Sequence, residues 1–475
     1  MDLQIEKKRL SAETILYLSM IIFFLLHFYK ITLPPNGYHH WRESDTAAVS
    51  LNYYQEDMNF LHPRINQRGD GPGITGSEFP IYNYAGALLY KVFGPSHLVH
   101  RLLSLLAGLL GIWLLYKAVW ILTKEKLLGA LSAFALSCSP LYFFYSYKIM
   151  PDIWMLMFLL ASVFFYFRYL ENYKISDWLL SAFFLIFSAT IKPLSFSIYL
   201  PFLVLTISKS HVKMKSFIKF VLYGIITFVP TLLWYLYARH VNEIYQTPGY
   251  YLGNMLGDFY KFLATSQFYK KLFLQWPFEI WIGWPMVIFF AAGLYLYVKE
   301  KRKFAYASWL IAPYGAFLFI SYHSSSHDYY TLIATVPFAL VTAYGLWKAV
   351  QTKYGKQILI ACFIIVPLLT FFRVQHRIAD VPEFEPMRTD TEKIIPRESL
   401  VMVEDGTTAI KLYQLNRVGW PLRGEIKYSD VQKLIARGGR YIILENKISD
   451  YDDSLAYLFE DDARMIDSLY CYKAK

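Results

Sequence analysis

Charge is scarce in this chain. Lys, Arg, Asp and Glu make up 17% of its 475 residues, while 56% are hydrophobic. Soluble domains carry about a quarter charged residues, so the composition argues against a soluble fold and for a bundle of spanning helices. Cysteine is scarcer still. Cys138, Cys362 and Cys471 stand far apart without ligand spacing, which gives neither a disulfide framework nor a zinc site. Internal repeats and low-complexity segments are lacking too. The net charge of +11 would point to nucleic acid only if the cations clustered on one polar domain. They lie in short loops between apolar runs, so no nucleic-acid partner is expected, and no nucleotide or redox cofactor.

What the chain has in excess is aromatic and apolar length. Its 37 Phe, 40 Tyr and 12 Trp suit lipid-facing packing and interfacial belts. Apolar runs of spanning length fall near 13–33, 98–122, 128–147, 153–170, 177–194, 195–208, 216–238, 280–298, 304–322, 329–349 and 356–373. The fifth and sixth are separated only by "IKP", and a Pro there can kink one helix or divide two. The first run follows "EKKR" and precedes no small-residue cleavage site, so it is expected to be a retained helix.

Lys and Arg in short loops set orientation. With the N-terminus cytoplasmic, the inner loops hold Lys124 and Lys126, then Arg168 and Lys174, then Lys209, Lys213, Lys215 and Lys219. "KEKRK" at 299–303 follows, then Lys353 and Lys356. The short outer connections have at most one cation each. The alternation predicts a multi-pass protein of the cytoplasmic membrane, and it supports dividing the fifth and sixth runs. Residues 34–97 and the tail then lie on the outer, periplasmic face. The outer loop 239–279 is rich in Tyr and Phe and can include an interfacial amphipathic helix.

Composition changes after residue 373. "SLVMVED", "RYIILEN" and "RMIDSLYCYKA" read as strands, and "TAIKLYQLN", "SDVQKLIARGG" and "DDSLAYLFE" as helices. The expected division is a membrane domain over 1–373 and a small extracytoplasmic α/β domain over 374–475.

The first outer loop crowds His39, His40, Arg42, Glu43, Asp45, His62, Arg64, Arg68, Asp70 and Glu78 between two apolar runs. A loop so long and so ionisable is seldom mere connection. Other charged groups gather at outer helix ends: Lys148 and Asp152 in "KIMPD", Lys192 in "IKP", and His323, His327, Asp328, Tyr329 and Tyr330 in "HSSSHDYY". Ionisable groups in or at a membrane are costly unless paired or used. Carboxylates can act as general bases and, with histidine, hold a divalent cation. Lysine, arginine and tyrosine can bind a phosphate and stabilise it as a leaving group. Together these suit transfer from a lipid-linked phosphate donor.

Each group also has a plainer reading. Asp45 in "SDTA" can cap a juxtamembrane helix, and Glu78 can cap the helix after "GPGITGS". Asp152 stands where a helix start favours an anion. Lys192 can snorkel to headgroups, His323 and His327 can sit in a solvated turn, and Tyr329 and Tyr330 can belong to an aromatic belt.

"WRESDTA", "SEFPIYNY", "KIMPD", "IKP" and "HDYY", in that order over roughly residues 10 to 350, resemble the polytopic glycosyltransferases of the GT-C fold. The resemblance is to the bacterial branch related to protein O-mannosyltransferases and the lipid A aminoarabinose transferase. It implies a polyprenyl-phosphate sugar donor, a glycan, lipid or protein acceptor, and an active site on the outer face. It also implies an acid near the reaction centre in the first outer loop, and Asp45 is the matching position. The adjacent Asp-Glu of the mannosyltransferases is here Glu43-Ser44-Asp45, which leaves the base open between Glu43 and Asp45. Arg42, Lys148, Asp152, Lys192, His327, Tyr329 and Tyr330 are the expected substrate-binding residues. The aminoarabinose transferase likeness further implies a metal ion such as Mg, Mn or Zn, held by Glu78 with His323 or His327. The tail matches no family.

Two other enzyme and carrier functions compete. A lipid-phosphate phosphotransferase shares the site chemistry. A lipid-linked sugar transporter or flippase predicts midplane charges, broken helices and related halves, whereas the charges here lie at one face. A membrane scaffold would leave the outer carboxylates and histidines without a role.

Overall fold

The structure is a computed structural model that describes residues 11–209, 213–246, 263, 265–300, 304–378, 384–406 and 410–475. All eleven apolar runs are helical. Among the described residues, five helices are long and apolar enough to cross a membrane: His97–Thr123, Asp152–Asn172, Met214–Tyr245, Asp328–Ala349 and Gly355–Gln375. A sixth span exists if Ser266–Ile282 and Trp284–Lys299, bent by 97°, form one broken helix. The bend falls at Gly283, whose φ of +80° suits glycine. The remaining runs form shorter apolar helices: Ala12–Leu26, Lys126–Ser137, Ile175–Ile191, Pro193–Lys209 and Ala307–Phe319. The run 128–147 is interrupted where Ser139 accepts Tyr142 N–H and starts the separate helix Pro140–Tyr145. "IKP" divides two helices, because Pro193 drives Lys192 into extended backbone (φ −146°, ψ 120°). Within the loop 239–279, for which an amphipathic helix was considered, 247–262 and 264 lie outside the described residues.

The chain forms two compact units, which do not follow the compositional division at 373/374. One holds Met1–Ile31, Arg101–Trp234 and Gly253–His376; the other holds Thr32–His100, Tyr235–Leu252 and Arg377–Lys475. The first outer loop therefore folds with the tail.

In the first unit, hydroxyls join the packed helices. Ser162, Ser181 and Tyr223 bond one another at 2.8–3.2 Å, and Tyr166 meets Thr206 at 2.6 Å while stacking on Phe202. Such bonds hold helices together where apolar burial cannot, since the solvent is itself apolar.

The second unit is built on a five-stranded sheet, ordered β2-β1-β3-β5-β4. Its strands are β1 (Leu400–Glu404), β2 (Gly419–Leu422), β3 (Gly439–Leu444), β4 (Arg464–Ile466) and β5 (Leu469–Lys473). β1, β2 and β3 run parallel; β5 is antiparallel to β3 and β4. The segment "RMIDSLYCYKA" is two strands rather than one, because Asp467 turns the chain with φ +52°. β2 carries Pro421 and is an edge strand, where a missing donor costs no ladder bond.

The first loop is tied to this sheet residue by residue. Asn66 Nδ2 donates to the carbonyls of Leu412 and Arg417, 3.2 Å each. Gly69 N–H donates to Gly419 O at 2.8 Å, and a Cβ on Gly69 would run into the Trp420 indole. Arg437 pairs with Asp70 and holds its carboxyl below the usual range. The end of the long helix Lys213–Tyr245 joins the same unit: Asn242 clamps Gly76, accepting its N–H at 2.8 Å and donating to its carbonyl at 2.7 Å.

Candidate active site

The first long loop becomes a helix, His40–Gln55, entered through His39 in the left-handed region (φ +62°). Ser44 and Thr46 return their hydroxyls to the carbonyls four residues earlier. Asn83, on the helix Ile81–Phe93, donates to Thr46 O at 2.7 Å and fixes the two helices side by side. Glu43 is fully buried, and its Oε2 accepts the backbone N–H of Asn36 at 3.0 Å. That bond closes the loop onto the helix. Arg42 forms an ion pair with Glu78. Asp45 lies two positions beyond Glu43, on a different side of the helix, and is half-buried.

A buried carboxylate that the motifs did not flag lies in the same compact unit as Asp45. The short helix Ile410–Gln414 packs on His40–Gln55, and Asp405 accepts the N–H of Lys411 in that helix at 2.8 Å. Asp405 is 5% exposed. Burial pushes its pKa up to about 6; Lys411 and Arg423 oppose the rise, and the charge of Asp45 adds to it. The sequence signal that would have found it is "EDG" at the carboxyl end of a parallel strand, where α/β sheets place their functional loops.

The other compact unit gathers a second set. Asp152 opens the helix Asp152–Asn172, and Lys192 ends the helix Ile175–Ile191. They form a buried ion pair. The Lys192 ammonium lies 4.2 Å from the ring centre of Tyr329 and 4.5 Å from that of Tyr330, a cation held against two aromatic faces. Tyr145 donates to Asp328, and its ring meets Tyr329 edge-on. His327 stacks on Tyr329 and His323 tilts against Tyr330, both at 5.4 Å. Lys148 is fully buried, 5.1 Å from the Phe144 ring centre. Thus Asp152, Lys192, Tyr329, Tyr330 and the two histidines come together. Tyr145 and Asp328 are additions that only the fold discloses.

A narrow apolar groove, with a cavity volume of about 20 Å³, lies in the same unit, lined by residues that include Leu160, Val163, Ile198, Trp309, Ile333 and Val336. Leu160 is two turns beyond Asp152, Ile198 six residues beyond Lys192, and Ile333 three beyond Tyr330. The helices that carry the cation cluster thus run on into the groove, over a distance of roughly 6–12 Å.

Comparisons with known proteins fit this geometry. Residues 73–234 match the family described as dolichyl-phosphate-mannose-protein mannosyltransferase. No curated protein sequence matches the chain. Among solved structures, ArnT from Cupriavidus metallidurans bound to undecaprenyl phosphate aligns with a TM-score of 0.68 at 12% identity, covering 98% of each chain. Its apo form gives 0.69 at 13%, with the same coverage. The Archaeoglobus fulgidus oligosaccharyltransferase, tethered to an acceptor peptide, aligns at 0.59 and 11% identity over 91% of this chain and 68% of its own. The fold is GT-C.

The GT-C resemblance read from "WRESDTA" to "HDYY" is therefore met at the level of fold, and the chain is a multi-pass membrane protein. The oligosaccharyltransferase has also been solved in complex with Zn and sulfate. In this GT-C chain, no three His, Cys, Asp or Glu among the described residues lie together to hold a metal ion. Glu78, the carboxylate considered for that role, is engaged by Arg42. The described residues do not make up a metal site.

Proposed function

We propose that this chain is an inverting glycosyltransferase that moves a sugar from a polyprenyl-phosphate donor to an extracytoplasmic acceptor, whether glycan, lipopolysaccharide, lipid or protein. The observation that carries the reading is the Lys192 cluster at the head of an apolar groove. Its apolar lining suits contact with a lipid. An ammonium has three protons to donate; Asp152 takes one, leaving donors for a phosphate. The ArnT structure with undecaprenyl phosphate supports such a donor, and the match to a dolichyl-phosphate-mannose-using family supports a sugar as the group moved.

In the proposed reaction the acceptor oxygen attacks the sugar C1 while Asp45 accepts its proton. The C1–O bond to phosphate breaks on the opposite face, and the polyprenyl phosphate departs with the electron pair. Lys192 stabilises its charge, with Tyr329 and Tyr330 fixing the ammonium. Lys148 and His327 belong to the same binding set. Glu43 serves the loop rather than the chemistry, since its carboxylate receives the Asn36 N–H. No step is routed through a metal. The distribution of Lys and Arg supports an inner-membrane location with a cytoplasmic N-terminus and a periplasmic reaction loop.

The test is sugar transfer from undecaprenyl-phosphate-linked hexoses and aminoarabinose, in membranes with a mixed acceptor extract, by wild type and Asp45→Asn at equal expression. Turnover that collapses in the variant is the expected result. Undiminished turnover moves the base away from Asp45. Release of phosphate with no sugar transferred favours a phosphotransferase, and no turnover of any donor removes the glycosyltransferase reading.

A further inference from the structure

We propose that the first compact unit holds a second ligand site, a cleft at the far end of the helices that carry Asp152 and Lys192, and that it binds the phosphate of an anionic phospholipid.

The placement follows from two helices. Asp152–Asn172 and Ile175–Ile191 pack along each other, and Tyr173, in the left-handed region (φ +54°), turns the chain between them. Asp152 opens the first helix and Lys192 closes the second. Tyr169 and Trp178 therefore stand roughly 20–25 Å away along the helix axes. The apolar core of a bilayer is about 30 Å thick, so the two ends serve opposite interfaces.

The cleft lies between these two helices, Tyr199–Lys209 and Lys213–Tyr245. Its lining includes Tyr169, Tyr173, Trp178, Phe220, Lys209 and Lys219. The enclosed space is about 10 Å³, room for one water-sized group. What enters is thus one polar end of a larger molecule, such as a phosphate oxygen. Three of the lining side chains have donors without a protein acceptor among the described residues: the Lys219 ammonium, the Trp178 indole N–H and the Tyr169 hydroxyl. Tyr169 and Trp178 are both buried, and buried donors left unmet are costly. A phosphodiester brings acceptor oxygens and a negative charge, which suits all three.

The surrounding charges favour the same ligand. Glu171 pairs with Lys124 and Lys209, and Asp177 with Arg168. Lys174, Lys215 and Lys219 form no ion pair among the described residues. This end keeps an excess of positive charge, and basic pockets between spanning helices recruit anionic headgroups.

The helix that carries Lys219 identifies the phosphate as a lipid's. Met214–Tyr245 is only 17% buried over its most apolar stretch. Leu222, Ile226, Val229 and Leu233 follow Lys219 at helical spacing and are 41–59% exposed. A phosphate held at Lys219 has this apolar track of roughly 20 Å beside it, and an acyl chain can lie along it. A soluble phosphate would use none of it. Lysines that only set topology snorkel to headgroups at large and create no preference at one position.

The experiment is lipid binding by the full-length protein, stripped of lipid in neutral detergent and followed by native mass spectrometry. The probes are dioleoylphosphatidylglycerol, dioleoylphosphatidylcholine, which has the same chains and no net charge, and inorganic phosphate as competitor. Wild type is expected to hold one phosphatidylglycerol about 5-fold more tightly than phosphatidylcholine. Lys219→Gln removes most of that preference; Lys219 is exposed, so the fold is retained. Tyr169→Phe keeps the ring and weakens the preference by about 2–5-fold. Lys353→Gln, in another short basic loop, leaves it unchanged. A preference that survives Lys219→Gln, or that falls equally in Lys353→Gln, overturns the site in favour of diffuse attraction. Equal binding of the two lipids by wild type overturns it as well. Displacement of phosphatidylglycerol by millimolar phosphate overturns the lipid as occupant. None of these readouts depends on sugar transfer.

Discussion

One oxygen of the Asp152 carboxylate accepts the Lys192 ammonium, and the other is buried without a hydrogen-bond partner. The pair is therefore tight but incompletely satisfied. Lys192→Met leaves a buried carboxylate uncompensated and should destabilise the first unit by about 3–5 kcal/mol. Lys192→Met with Asp152→Leu should cost much less than the sum of the single changes. Unfolding in lipid nanodiscs measures both; additive losses would mean that the two residues do not depend on each other.

Glu43 and Asp45 should separate cleanly. Glu43→Gln retains an oxygen for Asn36 N–H and is expected to keep turnover within about threefold, with a stability loss near 1 kcal/mol. Asp45→Asn removes the proposed base and should lower kcat by about 10²–10⁴. Equal losses from the two substitutions would reassign the base.

The span between first loop and tail should be sensitive at Asn66. Asn66→Ala leaves the Leu412 and Arg417 carbonyls without that donor, at about 1–3 kcal/mol. Gly69→Ala adds a clash with Trp420 to a φ of +57° and should cost as much or more. Limited proteolysis should then cut the tail faster in both variants. An unchanged digestion rate would show that the tail folds without the loop.

Asp405 should leave its mark on stability as well. Its folded pKa, about 6, lies above the ordinary carboxyl value of 3.8, so the folded state binds its proton more tightly than the unfolded state. Stability contributed by this group is present below about pH 4 and is lost as pH rises through 6, by up to about 3 kcal/mol. Asp405→Asn should accordingly raise the Tm at pH 7.5 and leave it unchanged near pH 3. A variant less stable at pH 7.5 would contradict the burial cost assigned to the charge.

Much of the membrane unit could be read in advance, because apolar length is a strong local signal and punctuation is local too. Pro193 divides two helices for a reason visible in the dipeptide itself. "KIMPD", "IKP" and "HDYY" were legible as a set because ionisable residues stand out against an apolar background. The tail was less transparent. β2 is four residues long and contains Pro421, so it offers no strand pattern, and Asp467 hid a hairpin inside one run. Asp405 could not be found by scanning for unusual acids, since the tail has many. Its meaning comes from the helix it caps and from what that helix touches. Likewise nothing near Asn66 announces Leu412 or Arg417, for contacts between distant segments leave no periodicity in a single sequence.

Asn66 and Arg417 are 351 residues apart. A chain made at about 5–20 residues per second exposes the reaction loop for roughly 20–70 s before its partner strand exists. During that interval the loop that carries Asp45 has reached its membrane face but lacks the scaffold that orders it. Assembly of the reaction centre is therefore among the last events of biosynthesis. A chain cut short after residue 376 would keep every apolar helix and lose the sheet to which the first loop is tied.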